Sequence, residues 1–151
     1  MLFRSWTVVV NQNTAHSGSY YLVNFRVSNA AKGSITSDGS TTAYNTSSDY
    51  RLKTDIQPMN NAMARVMQLK PSVWSWKENG KHGEGFIAHE LAEIAPQSVF
   101  GKKDAVDSDG NPIYQGVDTS FLVAMLTKAI QELKTEFDEY KASQDRKSTR
   151  L

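Results

Sequence analysis

Six apolar residues near the C-terminal end of the chain recur at alternating intervals of three and four positions. They are Val123, Leu126, Ile130, Leu133, Phe137 and Tyr140. Apolar residues with this heptad spacing lie along one side of an α-helix and form the a and d positions of a coiled coil. The spacing predicts a long helix whose seam packs against other copies of the chain. A helix packed against its own domain would also fit this seam, because three heptads are few for a coiled coil.

Capping signals and a change of pattern mark the two ends of this helix. Asp118-Thr119-Ser120 precedes it and supplies the side chains that commonly cap helix N-termini. The charged and polar residues between the seam positions form a solvated face. Residues 145–151 show no apolar pattern, so we expect a disordered tail there.

The N-terminal part of the chain has a different composition. Residues 1–47 contain 22 Ser, Thr, Asn or Gly and only four charged residues. Stretches at 7–10 and 20–27 are rich in β-branched and aromatic residues and predict strands, and Asp38-Gly39 predicts a hairpin turn. Because such short strands bury little by themselves, they indicate the end of a larger β-structure shared among chains. A disordered arm is the alternative.

Between these parts, the sequence predicts short helices and a hairpin. In chain order the signals predict a helix at 59–69, strands at 73–76 and 85–88, a helix at 89–95 and a polar loop at 101–112. Thr54 to Gln57 has the form of a capping box for the first helix, which Pro71 ends. Asn79-Gly80 is a strong hairpin signal, and Pro96 ends the second helix.

Composition excludes several kinds of partner. With 17 basic and 16 acidic side chains, the net charge of +1 gives no electrostatic footprint for nucleic acid or an anionic membrane. No apolar run approaches the roughly 20 residues that span a bilayer. The chain has no cysteine, and His89-Glu90 and Asp107 to Asp109 lack the remaining ligands of a zinc or calcium site. We expect no metal, no cofactor, no nucleic acid and no membrane.

The change of composition falls at the six residues from Ser48 to Lys53. Serine becomes a nucleophile when a base removes its proton, and lysine can be that base only when it is neutral. A spacing of five puts the two groups on one face of neither a helix nor a strand, so a turn or a neighbouring chain must bring them together. Taken alone, these residues are more typical of a Ser-Asp turn followed by solvated charges.

A wider set of motifs resembles a known family. In order, they are Tyr44 to Lys53, Leu69-Lys70-Pro71 with the aromatic strand after it, Gly85 to Leu91, Pro96, Val117-Asp118 and Ala129 to Leu133. Together they resemble the C-terminal intramolecular chaperone and auto-processing domain of bacteriophage tailspikes and tail fibres, of the endosialidase type. The resemblance covers residues 44–143, about two thirds of the chain. His89 stands where the family most often has glutamine, and we infer no catalytic role from it.

The resemblance implies an α+β fold with three parts. Residues 1–47 are the end of a β-rich fibre, 48–144 are the chaperone domain, and 145–151 are the tail. The domain would be a small mixed fold with a β-hairpin and short helices, ending in a long helix that forms a trimeric coiled coil. Its partners would be two further copies of itself and the upstream fibre of the same chain. Assembly would occur in the host cytoplasm, and the fibre portion would remain in the virion tail.

The resemblance also implies a chemistry for the composition boundary. The chain would cut itself between Ser47 and Ser48, with Ser48 as nucleophile and Lys53 as base. Asp49 and Arg51 would orient or polarise the site. Attack of the Ser48 hydroxyl on the Ser47 carbonyl would give an ester that water hydrolyses, and direct activation of water is the alternative route.

Other functions fit parts of the sequence. A trimerisation cap that is never cleaved would have the same fold, and so would a receptor-binding fibre tip that uses Trp6, Trp74 and Trp76 to contact glycans. A self-cleaving module of a eukaryotic membrane-bound transcription factor shares the domain. The uncharged stretch before Ser48, and the lack of an apolar span after the last helix, favour a viral fibre.

Overall fold

A computed structural model describes residues 18–148 of the 151-residue chain, and its fold is α+β, as the sequence predicts. Its strands are β1 (Tyr20–Val27), β2 (Ala30–Ser37), β3 (Thr42–Thr46), β4 (Ser72–Ser75), β5 (His82–Gly85), β6 (Val99–Phe100) and β7 (Gly116–Val117), and its α-helices are α1 (Ala62–Val66), α2 (Ala88–Ile94) and α3 (Leu122–Ser148). Short 3-10 helices occupy Tyr50–Leu52, Pro96–Ser98 and Thr119–Phe121.

The strand predicted at 7–10 lies outside the described residues. The chain forms two compact units, the first ending at Ile56 and the second beginning at Gln57.

The first unit contains an antiparallel sheet in the order β1-β2-β3. β1 and β2 are joined by Ser28 and Asn29, which both have positive φ, as a two-residue hairpin loop requires. This turn was not predicted, because Ser-Asn is a weaker hairpin signal than Asn-Gly. The turn predicted at Asp38-Gly39 is confirmed. The Asp38 carboxylate accepts hydrogen bonds from the two backbone N–H groups after Gly39.

Two neighbouring cross-strand rows of the sheet differ in polarity and point to opposite sides. The apolar row contains Val23, Ile35 and Tyr44. The next row is polar and contains Asn24, Ser34 and Asn45. Among the described residues of this unit no apolar side chain is buried, so the sheet has no apolar core of its own.

The second unit has an apolar core, built mainly by helices. The buried side chains are Ala62, Leu91, Ala95, Leu122, Met125 and Ala129. They place α1 and α2 near the start of α3, and α1 packs directly against α3. Within the described residues, no helix is both long enough and apolar enough to cross a membrane.

The first helix of this unit is shorter than the sequence predicts. α1 spans Ala62–Val66 instead of 59–69, and the capping box proposed at Thr54 to Gln57 is wrong, since Asn61 is the N-cap and makes no side-chain cap bond. The cap comes from elsewhere in the chain. The Met63 N–H donates to Glu132 Oε2 on α3 at 2.8 Å. A long-range contact therefore sets where α1 begins.

The hairpin of the second unit forms at Asn79-Gly80, as predicted. Gly80 has φ +70°, and its N–H donates to the carbonyl of Trp76. The return strand predicted at 85–88 is wrong: β5 covers His82–Gly85 and pairs with β4 directly after the turn. Residues from Ala88 onward form α2, which confirms the helix predicted before Pro96.

The polar loop predicted at 101–112 is confirmed, and its short aspartate motif stabilises a turn. Asp107 Oδ1 accepts hydrogen bonds from the backbone N–H groups of Asp109 and Asn111. The described residues contain no group of three or more metal-ligating side chains. The short β6–β7 pair that flanks the loop was not predicted, because two-residue strands leave no periodic pattern.

The long helix α3 begins as predicted. Asp118 caps the 3-10 turn that leads into it by accepting a hydrogen bond from the Ser120 N–H. The helix continues to Ser148, so the prediction of a disordered tail from residue 145 is wrong for 145–148. Its buried residues are Leu122, Met125 and Ala129, none of which belongs to the predicted seam.

Candidate functional site

The residues predicted to carry chemistry lie directly after β3, in the first unit. Asp49 accepts a hydrogen bond from the Arg51 N–H and caps the 3-10 helix Tyr50–Leu52. Lys53 ends this helix, and its N–H donates to the Tyr50 carbonyl. The single tight turn reverses the chain direction between positions 48 and 53, which makes a contact at this spacing possible.

The Ser48 and Lys53 side chains meet within one chain. Lys53 Nζ donates a hydrogen bond to Ser48 Oγ at 2.7 Å, which is a contact within normal hydrogen-bond distance. The contact needs no residue of a neighbouring chain. Both residues are exposed to solvent in the single chain. The hydrogen-bonding distance that a serine nucleophile and a lysine base would need is therefore present.

Asp49 forms an ion pair with Arg51, while the Lys53 amine hydrogen-bonds to Ser48. Arg51 Nε and Nη2 donate to the two carboxylate oxygens of Asp49 at 2.9 and 2.6 Å, a bidentate arrangement. Hydrogen bonds from the Arg51 side chain and backbone hold the pKa of the Asp49 carboxyl below its ordinary value. A carboxylate that instead paired with Lys53 would stabilise the ammonium form of the amine, so this pairing matters for the chemistry.

The peptide bond before Ser48 is anchored on its N-terminal side. The Ser47 N–H donates to the Lys32 carbonyl at 3.2 Å, and the Ser47 hydroxyl donates to the Ala31 carbonyl at 3.4 Å. Both acceptors lie in β2, so Ser47 extends the pairing of β3 by one residue. The predicted scissile bond therefore joins a residue held by the sheet to a residue held by a turn. No local pattern in the sequence predicts this anchoring.

The predicted seam of α3 is uncovered in the single chain. Each of its six residues is exposed, from 41% for Leu126 to 67% for Ile130. The alternative, in which these residues pack against their own domain, is not what the structure has. Leu122, Met125 and Ala129 make that contact from an adjacent side of the helix. An apolar stripe of this length on a solvent-exposed helix marks an interaction surface.

Residues in both units are similar to known proteins. Residues 48–100 match a family model described as chaperone of endosialidase, whose name designates a peptidase family. A stretch of 97 residues, 61% of the chain, is 30% identical to the long tail fiber protein Gp37 of Enterobacteria phage K3. The same identity over the same length is found with Gp37 of Enterobacteria phage T2. The aligned stretch spans only 8% and 7% of these two relatives.

The family match begins at the candidate nucleophile itself. It starts at Ser48, includes Lys53 and the β4–β5 hairpin, and ends at Phe100 after α2. These are the segments on which the resemblance in the sequence depends, and the match confirms that resemblance. Residues 48–100 of this chain are similar to the chaperone of endosialidase family.

Proposed function

We propose that this chain ends in a trimeric intramolecular chaperone of a phage tail fibre or tailspike, which releases itself by cutting the bond between Ser47 and Ser48. The observation that carries the proposal is the 2.7 Å contact between Lys53 Nζ and Ser48 Oγ, at the first residue of the family match. The phage tail-fibre relatives support a role in fibre assembly.

The proposed reaction is a single turnover on the chain's own backbone. The neutral Lys53 amine takes the hydroxyl proton as Ser48 Oγ attacks the Ser47 carbonyl carbon. The C–N bond then breaks, and the Lys53 ammonium returns the proton to the departing Ser48 nitrogen. Water hydrolyses the resulting ester, which leaves a carboxylate on Ser47 and restores the Ser48 hydroxyl. Asp49 and Arg51 support the site by fixing the turn.

Association of three chains supplies the condition that the single chain lacks. Lys53 is exposed in one chain, and a protonated amine cannot accept the serine proton. Burial disfavours the charged form of an amine, so covering this turn on assembly would turn the existing contact into a working dyad. The exposed seam of α3 and the exposed Phe25 and Tyr44 side chains of the β1-β2-β3 sheet both support such an assembly.

A chaperone at the C-terminal end suits the folding problem of a shared β-structure. Pairing strands among three chains costs association and loop-closure entropy before contacts form. A module that holds three chains together raises their effective concentration. Its removal in the host cytoplasm would leave the fibre, as part of the virion tail, kinetically trapped without its template.

Intact-mass measurement on freshly expressed protein tests the cleavage. Wild-type chain should yield two fragments, the second beginning at Ser48, while Ser48→Ala and Lys53→Ala should both stay whole. Thr54→Ala is the matched control, because it removes a hydroxyl next to the dyad and should be cut like wild type. If Ser48→Ala is cut at the same bond, the nucleophile is wrongly assigned.

The alternative function is a trimerisation cap that stays attached. The exposure of Lys53 in the single chain favours this alternative if assembly leaves the turn in solvent. In that case the protein would form trimers and remain at full length in the same mass measurement. A fibre tip that binds receptors would also remain whole.

A further inference from the structure

We propose that Glu136 of one chain pairs with Lys141 of the next, and that this pair sets the parallel, in-register alignment of the α3 seam. The inference rests on the proposed self-association of that seam and deepens it. It names the charged residues beside the seam that choose the direction and register of the partner, which is a second copy of the same chain.

The own-unit contacts of α3 lie along one flank of the seam and end early in the helix. With Val123, Ile130 and Phe137 at a positions, Ala129 takes the g position of the first heptad. Ala129 is 4% exposed because it packs in the core of its own unit. Glu132, one turn later, is the last α3 residue that hydrogen-bonds to α1. From 133 to 142 every residue of α3 is exposed, so both flanks of the seam can meet another chain there.

The charges on those free flanks are complementary in one alignment. Glu136 takes the g position of the second heptad, and Lys141 takes the e position of the third. In parallel coiled coils a g residue faces the e residue five positions further along the neighbouring helix. Glu136 therefore faces Lys141 of the neighbour when the seams are in register, and both side chains are exposed in the single chain.

An antiparallel arrangement of the same helix is disfavoured by the same charges. There e positions face e positions and g positions face g positions, so Lys134 meets Lys134 of the other chain. Lys134 already pairs with Asp138 within its own helix at 2.5 Å, which limits but does not remove that repulsion. Glu136 would face the g flank of the partner, where Ala129 is the other g residue. Only the parallel alignment places a positively charged side chain opposite Glu136.

Disulfide trapping tests the direction directly, because the chain has no cysteine of its own. In full-length Ser48→Ala protein, Val123→Cys and Tyr140→Cys would each place one thiol at an end of the seam. Under mild oxidation each variant alone should form disulfide-linked dimers, because equal positions meet in register. A mixture of the two variants should give homodimers and no Val123→Cys to Tyr140→Cys product. Efficient formation of that mixed product would overturn the parallel alignment.

Charge exchange tests the named pair. Glu136→Lys alone and Lys141→Glu alone should each weaken association at least about tenfold at low salt, since three attractive contacts become repulsive. The double exchange should restore most of the loss, and the differences should shrink at 1 M salt. Glu139→Lys is the control with the same charge change away from the flanks. If the double exchange is no tighter than the single variants, Glu136 and Lys141 do not pair.

Sedimentation of the same proteins separates the two levels of the proposal. If Ser48→Ala protein is monomeric at micromolar concentration, the proposed self-association is wrong, and so is the Glu136–Lys141 pairing that depends on it. If the protein associates but forms the mixed disulfide, or if charge exchange has no effect on association, the proposed assembly stands and only the pairing is wrong.

Discussion

Arg51 determines which acceptor Lys53 can reach. Asp49 lies four positions before Lys53 and is a competing acceptor for its amine. The bidentate bond from Arg51 occupies both carboxylate oxygens. The lowered pKa of Asp49 means that this pairing is complete at neutral pH and is lost only as pH falls through that lowered value. Above it, the cleavage rate should rise with pH, because the lysine must be neutral.

We predict that Arg51→Met moves the pH–rate profile of cleavage to higher pH by about one unit. The freed Asp49 carboxylate would pair with Lys53 and stabilise its ammonium form. Adding Asp49→Asn should move the profile back, because an amide keeps the cap acceptor without the charge. The profile is measured as first-order loss of full-length protein from pH 6 to 9. An Arg51→Met profile that coincides with wild type would show that Arg51 does not protect Lys53.

The resemblance in the sequence named the residues of the candidate site but not how they meet. The spacing of five between Ser48 and Lys53 gave no helix or strand face, and a neighbouring chain remained an option. The contact depends on a 3-10 turn capped by Asp49, and one-turn helices leave no periodic signal in a sequence. The anchoring of Ser47 depends on pairing with β2, which is a contact between distant parts of the chain.

At the scale of elements, Glu132 couples α1 to α3. α1 has only five residues, too few to be stable alone, and its Asn61 N-cap makes no side-chain bond. We predict that Glu132→Ala lowers the free energy of unfolding by about 1–2 kcal/mol, the usual loss for a removed helix cap. Denaturant unfolding of Ser48→Ala protein at matched concentration measures it. Glu139→Ala is the control on the solvent side of the same helix. An equal loss of unfolding free energy in this control would show that Glu132 does not stabilise the protein as a helix cap.

Elements with local signals were predicted well, and those set by distant contacts were not. The Asp38-Gly39 and Asn79-Gly80 turns and the α3 cap at Asp118 depend on residues next to them, and all three are confirmed. α1 was predicted too long because its start is fixed by Glu132, about seventy positions away. The seam of α3 was predicted, but the inward side of the same helix, which contains Leu122, Met125 and Ala129, was not, because these residues lie outside the heptad spacing of the seam.

At the scale of the whole molecule, the seam should hold the assembly together. We predict that Ile130→Asp weakens association of Ser48→Ala protein by about a hundredfold or more, because it places like charges in an apolar contact. Gln131→Asp adds the same charge one position away, outside the seam, and should associate like its parent. Analytical ultracentrifugation over a concentration series gives both constants. Equal effects of the two substitutions would mean that the seam is not the interface.

Assembly and cleavage should be coupled through the environment of Lys53. The contact with Ser48 already exists in one chain, so association is not needed to bring the two groups together. In the proposed mechanism, association would instead exclude water from an amine that is exposed in the single chain, because a solvated ammonium cannot accept the serine proton. We therefore predict that Ile130→Asp with an intact dyad stays at full length at neutral pH while Gln131→Asp is fully processed.

Alkaline pH distinguishes this explanation from a purely geometric one. Raising the pH of the Ile130→Asp monomer into the alkaline range should restore part of the cleavage, because alkaline solution removes the proton from an amine without burial. Ser48→Ala combined with Ile130→Asp measures how much of the chain is hydrolysed by alkali without the serine hydroxyl, and this protein should stay at full length. Cleavage of the Ile130→Asp monomer at the wild-type rate at neutral pH would show that assembly is not the switch. Absence of cleavage even at high pH would mean that assembly supplies a catalytic group as well as a dry environment.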